Sequence, residues 1–172
     1  MIEKKILGFA APSGTGKTTL LKQLIPLLKQ RGLRIGLIKH SHHDFEIDVP
    51  GKDSYELRKA GAQQVALVSA YRRVLIKEQW QQLEPSLQEA LEMLDQSEID
   101  LVLVEGFRDS AFPKIELHRP SLGKEPLFIN DENIIAVATD ERSLDVTDIV
   151  KMDLNDPEQI ADFIIRWLSD HR

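Results

Sequence analysis

The residues best suited to do chemistry lie close to the start of the chain, in Ala11-Pro12-Ser13-Gly14-Thr15-Gly16-Lys17-Thr18-Thr19. The run follows the phosphate-loop pattern of a glycine, four residues and Gly-Lys-Ser/Thr, with Ala11 standing at the first glycine position. Gly14 and Gly16 let the backbone curl close to an anion. N–H groups from Gly14 to Thr18 then point at phosphate oxygens, helped by the start of a helix. Lys17 supplies a mobile positive charge for β- and γ-phosphates. The Thr18 hydroxyl suits Mg²⁺, which takes few protein oxygens beside phosphate and water. Ser13 to Thr19 are thus candidate contacts for a purine nucleoside triphosphate with Mg²⁺. The competing reading is a glycine-rich turn entering a helix by chance. An apolar strand before the turn and an amphipathic helix after it weigh against that. Pro12 occupies the place where some dimeric P-loop ATPases carry an additional lysine.

A second candidate, Glu105, ends the apolar run Leu101-Val102-Leu103-Val104 and precedes Gly106. A carboxylate at the carboxyl end of a buried strand sits where open α/β sheets bind ligands. There it can hold the Mg²⁺ water shell or orient an attacking water. The loop His40 to Asp48 carries three histidines and three carboxylates. It is open to three readings: a transition-metal site, a solvated loop, or a switch-like segment approaching the γ-phosphate. In the last reading Asp44 and Asp48 are candidates for the metal's outer shell. Lys52 and Asp53 are further candidates for nucleotide contact. Arg72, Arg73 and Arg108 read more simply as solvated charges. The Asn-Lys-x-Asp signature of guanine recognition is absent near Thr139-Asp140, so these residues leave the base open.

The elements that must position these groups follow from periodicity. Ile6 to Ala11 and Leu33 to Ile38 read as strands buried on both faces, flanking a helix over Thr18 to Arg31 that Gly32 terminates. This is a βαβ unit. A short helix is expected over Asp53 to Ala60, capped near Asp53 or Ser54, followed by strands over Gln64 to Ser69 and Arg73 to Lys77. Trp80 to Leu94 reads as a helix, Asp100 to Glu105 and Ile134 to Ala138 as buried strands, and Asp156 to Leu168 as a closing amphipathic helix. Lys114 to His118 alternates in polarity, which suggests an edge strand able to pair with another chain. The resulting class is α/β: a doubly wound, mostly parallel P-loop NTPase-type sheet with an extended edge-strand segment. One nucleotide-binding domain is expected over 1–172, with 107–133 as an extended or dimerisation segment.

The 172 residues are 42% hydrophobic and 29% charged, with a net charge of −6, an ordinary composition for a single globular domain. No broad cationic surface for nucleic acid is expected. The absence of cysteine removes thiolate metal sites and cysteine nucleophiles. No run approaches the roughly 20 apolar residues of a membrane span, and the start of the chain lacks a signal-peptide layout. A cytoplasmic protein with no membrane partner is the expectation.

Pro12 to Leu20, Lys39-His40, Asp44 to Asp48, Pro50-Gly51-Lys52-Asp53-Ser54, Ala60-Gly61-Ala62 and Val104-Glu105-Gly106-Phe107 together resemble the molybdopterin-guanine dinucleotide biosynthesis protein B (MobB) family. The resemblance runs from about Ile6 to Asp140. It implies a GTP-binding protein with weak GTPase activity, acting as a homodimer. It further implies an accessory role beside the molybdopterin guanylyltransferase, which joins GMP to molybdopterin, and other molybdenum cofactor assembly proteins. Guanine preference, dimerisation and the partner enzyme come from this resemblance alone.

Three functions remain distinct. A slow GTPase or adaptor would use Lys17 and Mg²⁺ to stabilise charge, with Glu105 or Asp48 ordering water or metal. A small-molecule kinase would deliver the phosphoryl group to an acceptor, although no arginine-bearing lid is evident. A non-catalytic module would hold nucleotide or pterin for a partner.

Overall fold

Runs of Leu, Val and Ile without polar interruption can pair only where both faces of a sheet are covered. The computed structural model describes residues 5–41, 43–79, 81, 83–146 and 148–170. Its strands are β1 (Lys5–Ala10), β2 (Ile35–Lys39), β3 (Gln64–Val68), β4 (Arg73–Lys77), β5 (Leu101–Glu105), β6 (Lys114–His118), β7 (Ile134–Thr139) and β8 (Val150–Asp153). Four α-helices accompany them among the described residues: α1 (Lys17–Gln30), α2 (Asp53–Lys59), α3 (Leu87–Glu92) and α4 (Pro157–Asp170). Contacts divide the chain into two compact units, Met1–His40 with Ser86–Arg172, and Ser41–Pro85.

In the first unit six strands form one parallel sheet in the order β2-β5-β1-β6-β7-β8. One face is covered by α1 and α4, whose Leu20, Leu24, Leu28, Ile160 and Ile164 pack on Leu7, Leu103, Ile115 and Ala138. On the opposite face Leu91 of α3 joins Ile38, Val102, Val104 and Phe112. Each such large side chain contributes about 1.5–3 kcal/mol on burial. The sheet is thus α/β and doubly wound, as the sequence pattern implies. α1 ends where Gly32 adopts φ +88°. There the Leu33 N–H donates to Leu28 O at 3.2 Å and the Gly32 N–H to Lys29 O at 3.0 Å, a Schellman closure.

Several expectations are corrected. Lys114 to His118 is not an edge: β6 lies between β1 and β7, and all five residues are buried. Its polar face is satisfied internally. Lys114 Nζ lies 2.9 Å from Asp131 Oδ2, and Glu116 accepts the N–H groups of Leu127 (2.7 Å) and Phe128 (2.8 Å). Burial raises the Glu116 pKa, and those two amides oppose the rise. The helix expected from Trp80 is confined to Leu87–Glu92. Pro85 disfavours helical backbone before it, and a capping box starts the helix, with Ser86 Oγ accepting the Glu89 N–H and Glu89 accepting the Ser86 N–H. Trp80 and Gln82 lie outside the described residues. The cap of α2 is Lys52, and Asp53 and Ser54 open the helix next to it, as expected. β8 was not anticipated.

The second unit holds α2 and the antiparallel pair β3–β4. It is organised around a buried cation. Arg58 is 7% exposed, donates to Glu46 Oε1 at 2.6 Å and to Glu78, and lies 5.3 Å from the Tyr55 ring centre. The strand pair leaves Val68, Tyr71 and Leu75 exposed.

Candidate functional site

Because all strands of the main sheet are parallel, their carboxyl ends open on one side, where open α/β sheets bind ligands. β1 leads there into the turn from Ala11 to Gly16, and α1 begins at Lys17. Gly14 and Gly16 adopt φ +84° and +101°, left-handed values that favour glycine. Ala11 needs no such conformation, since Phe107 is the one non-glycine with positive φ among the described residues. The Ala11 side chain packs on the apolar core instead. Thr15 is buried, and its hydroxyl donates to Pro12 O at 2.8 Å, closing the turn. Ser13, Gly14, Thr18 and Thr19 are exposed at the opening, with Gly16 and Lys17 half-buried.

Glu105, at the end of β5, meets the loop directly. Its Oε1 lies 3.5 Å from Lys17 Nζ and its Oε2 lies 3.8 Å from Lys39 Nζ. Lys39 is a site residue that reasoning on charge and spacing did not single out. It reaches Glu105 because β2 and β5 pair in the register Lys39↔Glu105. The two ammonium groups beside one carboxylate leave this mouth net positive, suited to a polyphosphate. Directly after it, Gly106 adopts φ +102°, and a Cβ there would lie 2.6 Å from His40 Cβ. Phe107 holds φ +51°, a strained conformation of about 1–3 kcal/mol. Its ring stacks on His40 at 4.5 Å.

On the other side of the loop stands Arg119, just past β6, which sequence reasoning also missed. It donates to Thr15 O at 2.8 Å, to the Asp140 carboxylate and to Asn155 Oδ1 at 3.4 Å. Arg119, Asn155, Leu154, Pro157, Gln23 and the loop line a cavity of about 330 Å³. That volume is at the lower end of ligand pockets, about 300–1,000 Å³.

Asp48, Lys52 and Asp53 belong to the second unit. Asp48 Oδ1 accepts from the Val49 N–H at 2.9 Å and from Ser54 Oγ at 3.0 Å, and its Oδ2 is buried with no hydrogen-bond partner among the described residues. Lys52 caps α2 with its backbone, and Asp53 opens that helix. Asp44 is exposed. No group of three histidine or carboxylate side chains able to hold a metal occurs among the described residues, and His42 lies outside them. Arg108 is exposed and lies 4.0 Å from Asp109. The donors that fit Mg²⁺ are hard oxygens at the loop, the exposed Thr18 hydroxyl and the Glu105 carboxylate.

Comparison with known proteins agrees with this geometry. The family model for molybdopterin guanine dinucleotide synthesis protein B matches residues 6–140. The chain is 50% identical to a molybdopterin-guanine dinucleotide biosynthesis adapter protein of Escherichia coli (strain K12), covering 95% of this chain and 93% of that protein. It is 44% identical to the protein of the same description from Haemophilus influenzae, covering 95% and 89%. A crystal structure of molybdopterin-guanine biosynthesis protein B superposes with a TM-score of 0.73 at 29% identity, covering 95% of this chain and 99% of that one. The phosphate-loop turn, the Glu105 carboxylate and the match over most of the chain together place this protein in the MobB family.

Proposed function

We propose that this chain is a GTP-binding adapter with slow GTPase activity, accessory to attachment of GMP to molybdopterin in molybdenum cofactor assembly. The observation that carries the reading is the 3.5 Å approach of Lys17 to Glu105 at the mouth of the loop. The adapter role is supported by relatives that bear that description in molybdopterin-guanine dinucleotide biosynthesis.

In this reading loop amides and Lys17 bind the β- and γ-phosphates, and Thr18 and Glu105 provide oxygens for Mg²⁺. Mg²⁺ held there would neutralise phosphate charge. Glu105 orients a water for in-line attack on the γ-phosphorus. The bond to the β–γ bridging oxygen breaks, and GDP and phosphate leave. Asp48, Lys52 and Asp53 enter the proposal as candidate contributors to turnover and nucleotide contact, tested by substituting each singly. A homodimer is included on the ground that the β3–β4 pair exposes Val68, Tyr71 and Leu75 and has unpaired outer edges among the described residues. The partner is the enzyme that transfers GMP to molybdopterin, and the compartment is the cytoplasm. No helix among the described residues is long and apolar enough to cross a membrane.

Phosphate release from GTP and Mg²⁺ without an acceptor tests the catalytic part. Slow, acceptor-independent release is expected. Turnover that appears only with a small-molecule acceptor contradicts it and marks a kinase.

A further inference from the structure

Arg119 touches three segments that are remote in sequence, and one of its contacts bears on how the loop presents its amides. Its Nε–H donates to Thr15 O at 2.8 Å. The guanidinium is anchored by Asp140, at the end of β7, and reaches Asn155 Oδ1, after β8, at 3.4 Å. In a trans peptide the C=O and the following N–H point in opposite directions, and no cis peptide occurs among the described residues. Holding the Thr15 carbonyl therefore turns the Gly16 N–H away from the guanidinium. That N–H is one of those the loop has available for an anion. Gly16, at φ +101°, lacks the Cβ that would oppose rotation of this peptide. The Thr15 side chain is tied to Pro12 O, which fixes the residue but not its carbonyl.

We propose that Arg119 is a positioning residue of the phosphate site: it clamps the Thr15–Gly16 peptide with the N–H available to phosphate, and so couples loop geometry to the ends of β6, β7 and β8. Without the clamp the peptide can flip and present a carbonyl oxygen, which repels phosphate, where an amide is needed. The inference rests on the loop being a phosphate site. Arginine suits the task because its planar fork serves several acceptors at once, whereas lysine is a point charge.

The test uses inorganic tripolyphosphate with Mg²⁺, so that no base contact contributes. Affinity is measured by calorimetry for the wild type, Arg119→Gln, Arg119→Lys, Asp140→Asn and Lys17→Ala, with the melting temperature of each. The Gly16 amide is followed by ¹⁵N–¹H NMR. Arg119→Gln is expected to bind about tenfold more weakly or worse and to lose the Gly16 amide shift on ligand addition. Arg119→Lys should fall between it and the wild type. Asp140→Asn loosens the anchor without removing the arginine, and should weaken binding less than Arg119→Gln. If Arg119→Gln does not fold, the lysine and Asp140 variants decide. Binding within twofold of wild type in the folded variants, with the same Gly16 shift, overturns the proposal. Absence of tripolyphosphate binding by the wild type, unaltered in Lys17→Ala, overturns the phosphate-site reading itself and is recognisable as that separate failure.

Discussion

The ammonium of Lys17 lies 3.5 Å from the Glu105 carboxylate, which also meets Lys39 at 3.8 Å. The lysine proposed to reach β- and γ-phosphates is thus held by the carboxylate proposed to order metal and water. Triphosphate binding has to exchange this ion pair for contacts to phosphate. Glu105→Gln removes the competing charge but keeps the size of the side chain. Phosphate release from GTP is expected to fall about tenfold or more, while GTP affinity without Mg²⁺ is unchanged or higher. Release at the wild-type rate would remove Glu105 from the chemistry.

Lys17→Ala deletes the main cation of the loop. Triphosphate affinity should fall by about two orders of magnitude or more, as expected when several charge-assisted hydrogen bonds are lost. Full affinity in a variant with unchanged circular dichroism would contradict the loop assignment.

Ile115 and Leu117 are fully buried in the core under α1 and α4. Ile115→Asp or Leu117→Asp should therefore destabilise by about 3–5 kcal/mol or prevent folding, seen as a lower denaturant midpoint. A stable Ile115→Asp variant would contradict the interior placement of β6.

The second unit carries the dimer prediction instead. Val68 and Tyr71 are 72% and 99% exposed, so Val68→Asp with Tyr71→Lys should leave the melting temperature of the monomer nearly unchanged. It should convert a dimer to a monomer in mass by light scattering. An unchanged mass would count against assembly through this strand pair.

Buried Lys114 and half-buried Asp131 make an ion pair whose worth depends on pH. Burial acts to raise the Asp131 pKa, but hydrogen bonds from Lys114 and Asn133 outweigh it and hold it below its ordinary 3.8. The unfolded state then binds more protons in acid, so this contribution is present above about pH 4 and lost as pH falls through the lowered pKa. Asp131→Asn removes the carboxylate partner of Lys114 and should be about 1–3 kcal/mol less stable at pH 7. The gap should narrow below about pH 4. Glu116, whose raised pKa acts in the opposite sense, is retained in both proteins, but the part of its rise that comes from the Asp131 charge is lost with that charge. A gap independent of pH would contradict the pairing.

The loop, β5 and its terminal Glu105 were legible in sequence because the signals are local: glycines, a lysine and an unbroken apolar run. β6 was misread because alternation reports polarity, not exposure. Lys114 and Glu116 are satisfied by Asp131 and by the amides of Leu127 and Phe128, eleven or more positions away. Lys39 enters the sequence reading only through the family resemblance, and Arg119 not at all, for a related reason. Lys39 reaches Glu105 through strand register, and Arg119 reaches Thr15 from 104 positions along the chain. A single charged residue at the end of a strand carries no local mark of either contact. The Trp80–Leu94 helix was overextended because leucine spacing outweighed the Pro85 stop and the Ser86–Glu89 cap in that reading.

The Ser13–Thr19 loop is proposed to bind GTP with Mg²⁺, and calorimetry comparing GTP with ATP, each with and without Mg²⁺, decides the point. A Mg²⁺-dependent preference for GTP, abolished in Lys17→Ala, is the predicted result. Equal affinity for the two nucleotides, or a preference for ATP, would contradict the guanine-specific adapter and leave a nucleotide site of another purpose.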